Sequence, residues 1–345
     1  MRGIDHQQSD MFSYLSPEAR VRKDHPLRAV RAMTDEILSS MSPLFDAMYA
    51  QGGRPSIPPE KLLRAQLLQM FFSVRSERLL MEEIDYSILY RWFVGLNLDE
   101  EVWDATVFSK NRDRLLEADV AKLFLQQVVE QARAKDPTSD EHFTVDGTLL
   151  EAWAGTKSFR PKKGKQNPPA DDAGNPAVDF HGERRSNQTH DRGRMRGPKL
   201  ARKGPGKEAK LSYSGHLLVE NRNGLIVDAM AWEANGTAER DAALVKLEQI
   251  PGNDRVTIGG DKGFDTHDFV NECRQMKVTP HVAQNDSCPG GSAIDERTTR
   301  YEGYRLSQRK RKRIEECFGW LKTVALLRKL RHRGLHKVDW IFTRE

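Results

Sequence analysis

The apolar pattern of this chain changes at a polar segment, residues 136–140, and the change divides the sequence in two. Before the segment, apolar residues recur at the three- and four-residue spacing of amphipathic helices, as in residues 62–71. After it, short apolar runs alternate with helical patterns, which is the order typical of an α/β domain. The 345 residues are enough for both parts. We therefore predict an all-α N-terminal domain over residues 15–135 and an α/β domain over residues 140–345.

The strands and helices of the second part are separated by turn residues, so their order can be predicted. Residues 155–210 are rich in Pro, Gly, Lys and Arg without apolar periodicity, which predicts a long basic loop. The other expected elements are a strand at 142–150, a hairpin at 210–232, a helix at 238–250, a strand at 255–259, a helix at 266–276, a strand at 278–282 and a long basic helix at 307–330.

Basic residues are concentrated in two segments, although the net charge of the whole chain is only +5. Residues 297–337 carry 14 Lys and Arg against 3 Asp and Glu, and residues 157–210 carry 15 against 6. Such segregation indicates a surface that meets a polyanion, and the alternative is a set of solvated loops and helix faces.

The composition argues against several other classes of protein. No run of about 18 apolar residues occurs, so neither a membrane-spanning helix nor a membrane partner is expected. The three cysteines, Cys273, Cys288 and Cys317, lack the spacing of zinc ligands, and an odd number does not suit a set of disulfides. A reducing, cytoplasmic compartment fits this cysteine usage.

Asp146 is the first candidate site residue. In residues 143–148 apolar and polar side chains alternate, which places Asp146 on the polar face of a strand. Aspartate is disfavoured inside strands, and Gly147 beside it permits a close approach by a ligand. The alternative is a surface aspartate on an edge strand.

Asp261 is the second candidate. It follows the short apolar run 256–260, which ends in two glycines, and so it lies at the carboxyl end of a predicted strand. Open α/β sheets bind ligands at that edge. Asp265 is a rival four residues later, but it precedes a helical pattern and is predicted to cap that helix.

The third candidate is a choice between Glu315 and Glu316. On a helical projection, Arg311, Glu315 and Lys322 form one polar ridge beside the apolar stripe. Glu316 projects away from that stripe, so Glu315 is favoured. The alternative is an exposed glutamate that pairs with a neighbouring cation of a basic helix.

Three carboxylates without a Cys/His cluster suit Mg²⁺, which prefers oxygen ligands. Two such ions can assist displacement at phosphorus by activating both the attacking and the leaving oxygen. The residue types therefore favour phosphodiester chemistry.

Three segments carry a resemblance to a known family. Residues 144–148, 260–265 and 313–322 resemble the three acidic motifs of bacterial insertion-sequence DDE transposases, most closely those of the insertion-sequence-five family. The resemblance runs from about Asp10 to Thr343. Shorter similar segments, in the same order, are residues 76–78, 85–86, 90–93, 157–162 and 236–240.

The resemblance implies an RNase H-like mixed-sheet catalytic domain behind a helical DNA-binding domain. It assigns metal binding to Asp146, Asp261 and Glu315, with two Mg²⁺ ions for which Mn²⁺ can substitute. It further implies cleavage at terminal inverted repeats, strand transfer into target DNA, a homodimer on the DNA and association with the bacterial nucleoid.

The basic residues near these motifs are the candidates for DNA contacts. The segment 109–114 offers donors to phosphate or bases, with an exposed helix face as the alternative. The candidate contacts are Lys110, Arg112, Arg309, Lys310, Arg311, Lys312 and Lys322.

Two alternative functions remain: a related nuclease without strand transfer, and a truncated, inactive transposase remnant that only binds DNA. Residues 191–199 depart from the Ser/Thr- and Asp-containing stretch of similar transposases, and the chain ends where those transposases continue. Residues 338–342 are apolar, so we expect an incompletely covered apolar surface at the C-terminus.

Overall fold

The computed structural model describes residues 16–49, 52, 56–135, 140–162, 176–191, 197–204, 206–250, 255–287 and 290–345. These residues belong to two compact units, Met1–Leu115 and Leu116–Glu345. The helices are α1 (Pro17–Arg20), α2 (Leu27–Ser40), α3 (Ser42–Met48), α4 (Pro59–Phe71), α5 (Glu77–Tyr86), α6 (Ile88–Val94), α7 (Ala105–Glu117), α8 (Val120–Lys135), α9 (Ala238–Glu248), α10 (His267–Gln275), α11 (Glu296–Thr299), α12 (Glu302–Lys310), α13 (Arg313–Thr323) and α14 (Leu335–Arg344). The strands are β1 (His142–Glu151), β2 (Arg160–Pro161), β3 (Ala177–Phe180), β4 (Glu183–Ser186), β5 (His190–Asp191), β6 (Lys199–Ala201), β7 (Lys210–Glu220), β8 (Ile226–Glu233), β9 (Val256–Gly260) and β10 (Val278–Val282).

In the first unit, the described residues form helices and connecting turns, without a strand. Local sequence fixes several helix ends: the side chains of Ser76 and Ser87 accept backbone N–H groups at the starts of α5 and α6. Gly95, with φ of 91°, ends α6 in the left-handed conformation. The helix predicted over residues 62–71 is confirmed as α4.

The border between the two units differs from the predicted one. The sequence places α8 with the helical N-terminal domain, whereas α8 packs against β8 and α14 in the second unit. Its buried residues Val120, Ala121 and Val129 account for this, because they form a stripe that the sheet unit covers. Amphipathic periodicity predicts that a helix buries one face but does not reveal which neighbour covers it.

The second unit is built on one mixed sheet with strand order β10-β9-β1-β7-β6, and β8 also pairs with β7. Strands β9 and β10 run parallel to β1, whereas β7 is antiparallel to it. These strands confirm the prediction of an α/β domain in which one strand, a hairpin and two further strands follow each other along the chain.

The core of this unit lies where α9 and α10 cover the sheet. Phe143, Val145, Leu218 and Ile258 meet there with Phe269 of α10, all almost fully buried. Apolar side chains alternate along β1, so the residues between them face the other side of the sheet. The core therefore fixes the orientation of Asp146.

The segment between β1 and β7 contains more structure than the predicted loop. Its described residues include the short pairs β2–β5 and β3–β4 and the strand β6, which joins the main sheet. Phe159 and His190 are buried and their rings lie 5.6 Å apart, so a small packed cluster organises this insertion. Of the divergent stretch 191–199, residues 192–196 lie outside the described residues.

The long basic helix predicted over residues 307–330 is wrong in two respects. At Arg311 and Lys312 the backbone makes i→i+3 hydrogen bonds, from Ile314 N to Arg311 O and from Glu315 N to Lys312 O (both 3.2 Å), so α12 and α13 are separate. Helix α13 ends at Thr323, and Leu326 has a φ of 60°. The following residues extend beside the end of β1, where Leu330 N donates to Glu151 O.

The expected uncovered apolar surface at residues 338–342 is also wrong. These residues lie in α14, and Val338, Trp340 and Phe342 are buried against β8, α8 and β7. Asp339 accepts a hydrogen bond from the backbone N–H of Ala231 at 2.6 Å, which anchors the helix beside β8. In the described part of the chain, no helix is long and apolar enough to cross a membrane.

The contact between β7 and α14 gives a stability prediction. A Cβ atom on Gly215 would lie 2.6 Å from the Phe342 ring, so Gly215→Ala should lower the free energy of unfolding by about 1–3 kcal/mol through overpacking. Gly319→Ala is the control, because Gly319 lies in α13 with open space around it. That change should raise the free energy of unfolding by up to about 1 kcal/mol.

Urea denaturation of the full chain measures both effects. Equal behaviour of the two variants would contradict the proposed packing of α14 on the central strands.

Candidate active site

The two aspartates are brought together by the pairing of β1 with β9. Thr144 is the register partner of Gly259, so continuing the parallel register by two residues places Asp261 beside Asp146. Each carboxylate accepts a backbone N–H from the glycine of its own motif: Gly147 N lies 2.7 Å from Asp146 Oδ1, and Gly263 N lies 2.7 Å from Asp261 Oδ1. Both side chains are therefore held at one end of the parallel strands.

Asp146 and Asp261 line a cleft of about 900 Å³ in the second unit. The cleft combines carboxylates with cations, which is the composition expected where negatively charged groups and their counterions meet. Its acidic lining residues are Asp146, Glu239, Asp261 and Glu315, and its basic ones are Arg202, Lys203, Arg240, Lys322 and Arg328.

Glu239 is a fourth carboxylate to which the sequence analysis assigned no role. It lies in the first turn of α9, within a segment that the resemblance includes. A Cβ atom on Gly147 would lie 2.8 Å from Glu239 Oε1, and one on Gly263 would lie 3.9 Å from Glu239 Oε2. The Glu239 carboxylate therefore lies between the glycines of the two aspartate motifs.

The carboxylates of the cleft disfavour one another's charge. Burial raises the pKa of Asp146 to about 6, and the neighbouring Asp261 and Glu315 act in the same direction, whereas the Gly147 N–H and Arg311 lower it. Burial also raises the pKa of Glu239 to about 7, with contributions from Asp146 and Asp261. Burial and the neighbouring carboxylates therefore both disfavour the ionised forms of Asp146 and Glu239.

The side chains are not gathered into a finished metal-binding arrangement. Among the described residues, no group of three or more His, Cys, Asp or Glu is close enough together to hold a metal ion. Mutual repulsion gives a physical reason, because carboxylates without a bridging cation are more stable apart. In addition, one carboxylate oxygen of Asp146 and one of Asp261 already accept a hydrogen bond from a glycine N–H.

Helix α13 supplies the third predicted carboxylate and a lysine. Glu315 and Glu316 are both exposed, but only Glu315 lines the cleft. The Lys322 ammonium donates a hydrogen bond to the Thr148 hydroxyl of β1, two residues beyond Asp146. Burial lowers the pKa of Lys322 from its ordinary value. The structure therefore places Asp146, Asp261, Glu315 and Lys322 around one cleft.

Asp265 has a role different from the predicted helix cap. Thr266 caps α10, since its side chain accepts the Phe269 N–H. Asp265 is buried and accepts hydrogen bonds from Asn285 N (2.6 Å) and Ala293 N (3.0 Å). It therefore ties the loop after β10 to the end of the 3-10 turn Lys262–Phe264, which directly follows Asp261.

The remaining predicted DNA contacts occupy different settings. In the first unit, Lys110 is exposed, whereas Arg112 is buried and pairs with Glu77 and Asp113. In the second unit, Arg309 and Lys312 are exposed, Lys310 and Arg311 are half-buried, and none of these four lines the cleft. The cleft cations that the sequence analysis missed come from β6 and its loop, from α9 and from the segment after α13.

An acidic centre with cations around it is suited to metal-assisted chemistry on a phosphate polyanion. Two family models define the class further. One, described as a transposase domain (DUF772), matches residues 15–114, and the other, described as a transposase DDE domain, matches residues 178–340. The two parts of the chain thus match a transposase domain and a transposase DDE domain, and together these matches support a DDE transposase, whose process is DNA recombination by transposition.

Solved structures add weaker similarities. The piggyBac transposase synaptic complex with hairpin DNA is 10% identical, with a TM-score of 0.38, over 91% of this chain and 70% of that chain. The Mos1 transposase paired-end complex with left transposon end is 9% identical, with a TM-score of 0.21, over 90% of both chains. The Mos1 mariner paired end complex with Mn is 11% identical at the same score and the same coverage. No curated protein matches the chain in sequence.

Proposed function

We propose that the chain is a metal-dependent DNA transposase that cuts at the terminal inverted repeats of its element and joins the ends to target DNA. The observation that carries the proposal is the position of Asp146 beside Asp261 at one end of the parallel strands, with Glu315 in the same cleft. Asp146 and Thr148 lie on the polar face of β1, opposite the core, so folding alone does not require a carboxylate there.

The sheet topology supports an RNase H-like catalytic domain. A hairpin, β7–β8, adds to one side of β1 in antiparallel order, and β9 and β10 add to the other side in parallel order. Strands β1 and β9 are neighbours in the sheet; Asp146 lies in β1, and Asp261 directly follows the last residue of β9. Membership of the insertion-sequence-five family rests on the motif resemblance alone and is part of the proposal.

The residues of the cleft fit a divalent cation such as Mg²⁺ or Mn²⁺. The donors are carboxylate oxygens, and Asp146 is half-buried beside like charges, so a cation would relieve an existing repulsion. Asp146, Asp261 and Glu315 would hold the metal, which when bound polarises the phosphate and activates the attacking oxygen. The chain itself fixes the two aspartates through Gly147 and Gly263 and positions Lys322 through Thr148.

The cations around the cleft provide the complementary surface for the DNA backbone. Arg202 and Lys203 follow β6, and Arg328 follows α13, so two separate segments supply cations to the lining of the cleft, where they could hold phosphates. The DNA-binding role of the helical N-terminal unit and a homodimeric arrangement on DNA are proposed from the resemblance. We assign sequence recognition to the N-terminal unit and phosphate contacts to the cleft.

Neutralising Arg202 and Lys203 together, as Arg202→Gln with Lys203→Gln, should weaken binding to all DNA sequences. Each lost phosphate contact removes close to one released counterion, so the slope of log K against log salt should fall by roughly 1 to 2. Filter binding or fluorescence anisotropy between low and moderate salt measures this slope on the full chain.

The matched control is Arg255→Gln with Lys277→Gln. Both residues are exposed and precede β9 and β10, at the sheet end opposite to Asp261. Their replacement should leave the slope unchanged. An equal effect of both double variants would mean that the Arg202–Lys203 segment makes no specific contribution.

The function itself is tested with purified full chain and a supercoiled plasmid that carries the inverted repeats flanking its gene. We expect cleavage at the repeat ends with Mg²⁺ or Mn²⁺, none with EDTA, and joined products when a target plasmid is added. Specific binding of the repeats without cleavage in either metal would instead support an inactive DNA-binding remnant.

A further inference from the structure

We propose that Glu239 is a metal-binding carboxylate of this site, which would give the cleft four acidic ligands where the motif resemblance assigns three. The inference rests on the proposed function, because it concerns the same divalent cation. It places the residue on α9, an element that contributes none of the three motif carboxylates.

The position of the carboxylate is the first argument. Oε1 of Glu239 comes within 2.8 Å of the place where a Cβ on Gly147 would lie, and Oε2 faces Gly263 at 3.9 Å from the corresponding place. Glu239 therefore packs directly against the backbone of Gly147, next to Asp146, in space that a side chain at position 147 would fill. Glycine at position 147 is required for this approach, since any larger residue would displace the glutamate.

The lack of donors is the second argument. Among the described residues, none donates a hydrogen bond to the Glu239 carboxylate. The adjacent Arg240 instead donates to the carbonyl oxygens of Gly263 and Gly236, both at 3.1 Å. The Glu239 side chain is half-buried and opens onto the cleft. A charge that folding partly withdraws from water normally gains hydrogen-bonding partners, so a ligand that enters from the cleft is the expected partner.

A structural carboxylate of the same domain shows the contrast. Glu220 is fully buried, and its side chain accepts backbone N–H groups from Arg222 (2.9 Å), Asn223 (2.6 Å) and Leu225 (3.1 Å). It therefore stabilises the β7–β8 turn. Glu239 has no such set of donors.

The helix N-terminus does not explain Glu239 either. A carboxylate in the first turn of a helix interacts favourably with the helix dipole. In α9 this place is also taken by Asp241, which accepts a hydrogen bond from the Thr237 hydroxyl at 2.7 Å. A second acid that faces two other carboxylates adds repulsion instead.

The test compares Glu239→Gln, Asp146→Asn and the exposed control Glu316→Gln in the full chain. Mn²⁺ binding is measured by titration calorimetry, and the melting temperature is measured with EDTA and with Mn²⁺. Glu239→Gln should lower the Mn²⁺ affinity about tenfold or more, because loss of even a supporting partner of a metal ligand costs about 10- to 100-fold in affinity. Its melting temperature in EDTA should equal or exceed that of the wild type, because the amide removes a buried charge, and the Mn²⁺-induced rise should shrink.

Each outcome decides between the roles. Unchanged Mn²⁺ affinity in Glu239→Gln, with weakened affinity in Asp146→Asn, would overturn the role of Glu239 and leave the proposed function intact. Unchanged affinity in both variants would overturn the metal site itself. A fall in both the Mn²⁺ affinity and the metal-free melting temperature would assign Glu239 a structural role like that of Glu220 and would also overturn the inference.

Discussion

Replacing Asp146 or Asp261 by asparagine should reduce metal-dependent DNA cleavage more than about 100-fold, because changes to mere supporting partners of metal ligands already cost about 10- to 100-fold. The amide keeps the size of the side chain and can still accept the Gly147 or Gly263 N–H. It removes the negative charge that a divalent cation requires. DNA binding should stay close to that of the wild type, since it rests on Lys and Arg.

Cleavage of a labelled repeat-end duplex, with binding measured in parallel on the same DNA, separates the two effects. Asp268→Asn is the matched control, because Asp268 is an exposed aspartate in the first turn of α10, a few residues from Asp261. It should cleave like the wild type. An Asp146→Asn or Asp261→Asn protein that retains more than a tenth of the wild-type rate would contradict the assignment of these residues as metal ligands.

Removing charge from the cleft should also change stability in the absence of metal. Asp146 is half-buried near Asp261 and Glu315, so folding disfavours its ionised form. The inactive Asp146→Asn variant should therefore be at least as stable as the wild type in EDTA. Loss of cleavage together with retained stability distinguishes a functional carboxylate from one that holds the fold.

The positions of Asp146 and Asp261 follow from signals within a few residues of each. Alternation along β1 sets the face of Asp146, and the glycine-ended run of β9 sets Asp261 at the strand end. Parallel strands bring their equivalent ends to one edge of a sheet. The proximity of Asp146 and Asp261 can therefore be predicted without knowing how the rest of the domain packs. The strands β1, β7, β8, β9 and β10 and the helices α9 and α10 were predictable for the same reason, since their patterns are local.

Glu239 could not be found in this way, because its role depends on how α9 lies across β1. The helical pattern of α9 says which face is buried, but the contact with Gly147 arises only after the sheet has formed. The one local signal was Gly147 itself, whose missing side chain was interpreted as room for a ligand. In the structure the Glu239 carboxylate occupies that space.

The C-terminal predictions failed where local pattern and tertiary packing compete. The break between α12 and α13 interrupts a run with good helical periodicity, and α14 buries its apolar face on β8 and α8. Neither neighbour is adjacent to α14 in sequence. Arg112 shows the same limit, because its pairing with Glu77 joins α7 to α5, and a basic sequence segment does not reveal which cations are already paired.

The comparison of Glu315→Gln with Glu316→Gln isolates the third carboxylate. Both glutamates are exposed and lie in the first turn of α13, so either change removes one charge from the same helix end and costs similar helix stability, about 0.3–1 kcal/mol. The two side chains point in different directions, since only Glu315 lines the cleft and contributes to the raised pKa of Asp146.

Glu315→Gln should therefore lose cleavage more than about 100-fold, in line with the loss of a metal ligand. Glu316→Gln should cleave nearly like the wild type, and both should bind the repeat DNA. Single-turnover cleavage with Mg²⁺ and with Mn²⁺ measures the difference. Loss of activity in Glu316→Gln alone would mean that α13 presents the opposite face to the metal. Equal retention in both variants would leave Asp146, Asp261 and Glu239 as the carboxylates of the centre, because these three lie on the sheet and on α9 and do not depend on α13.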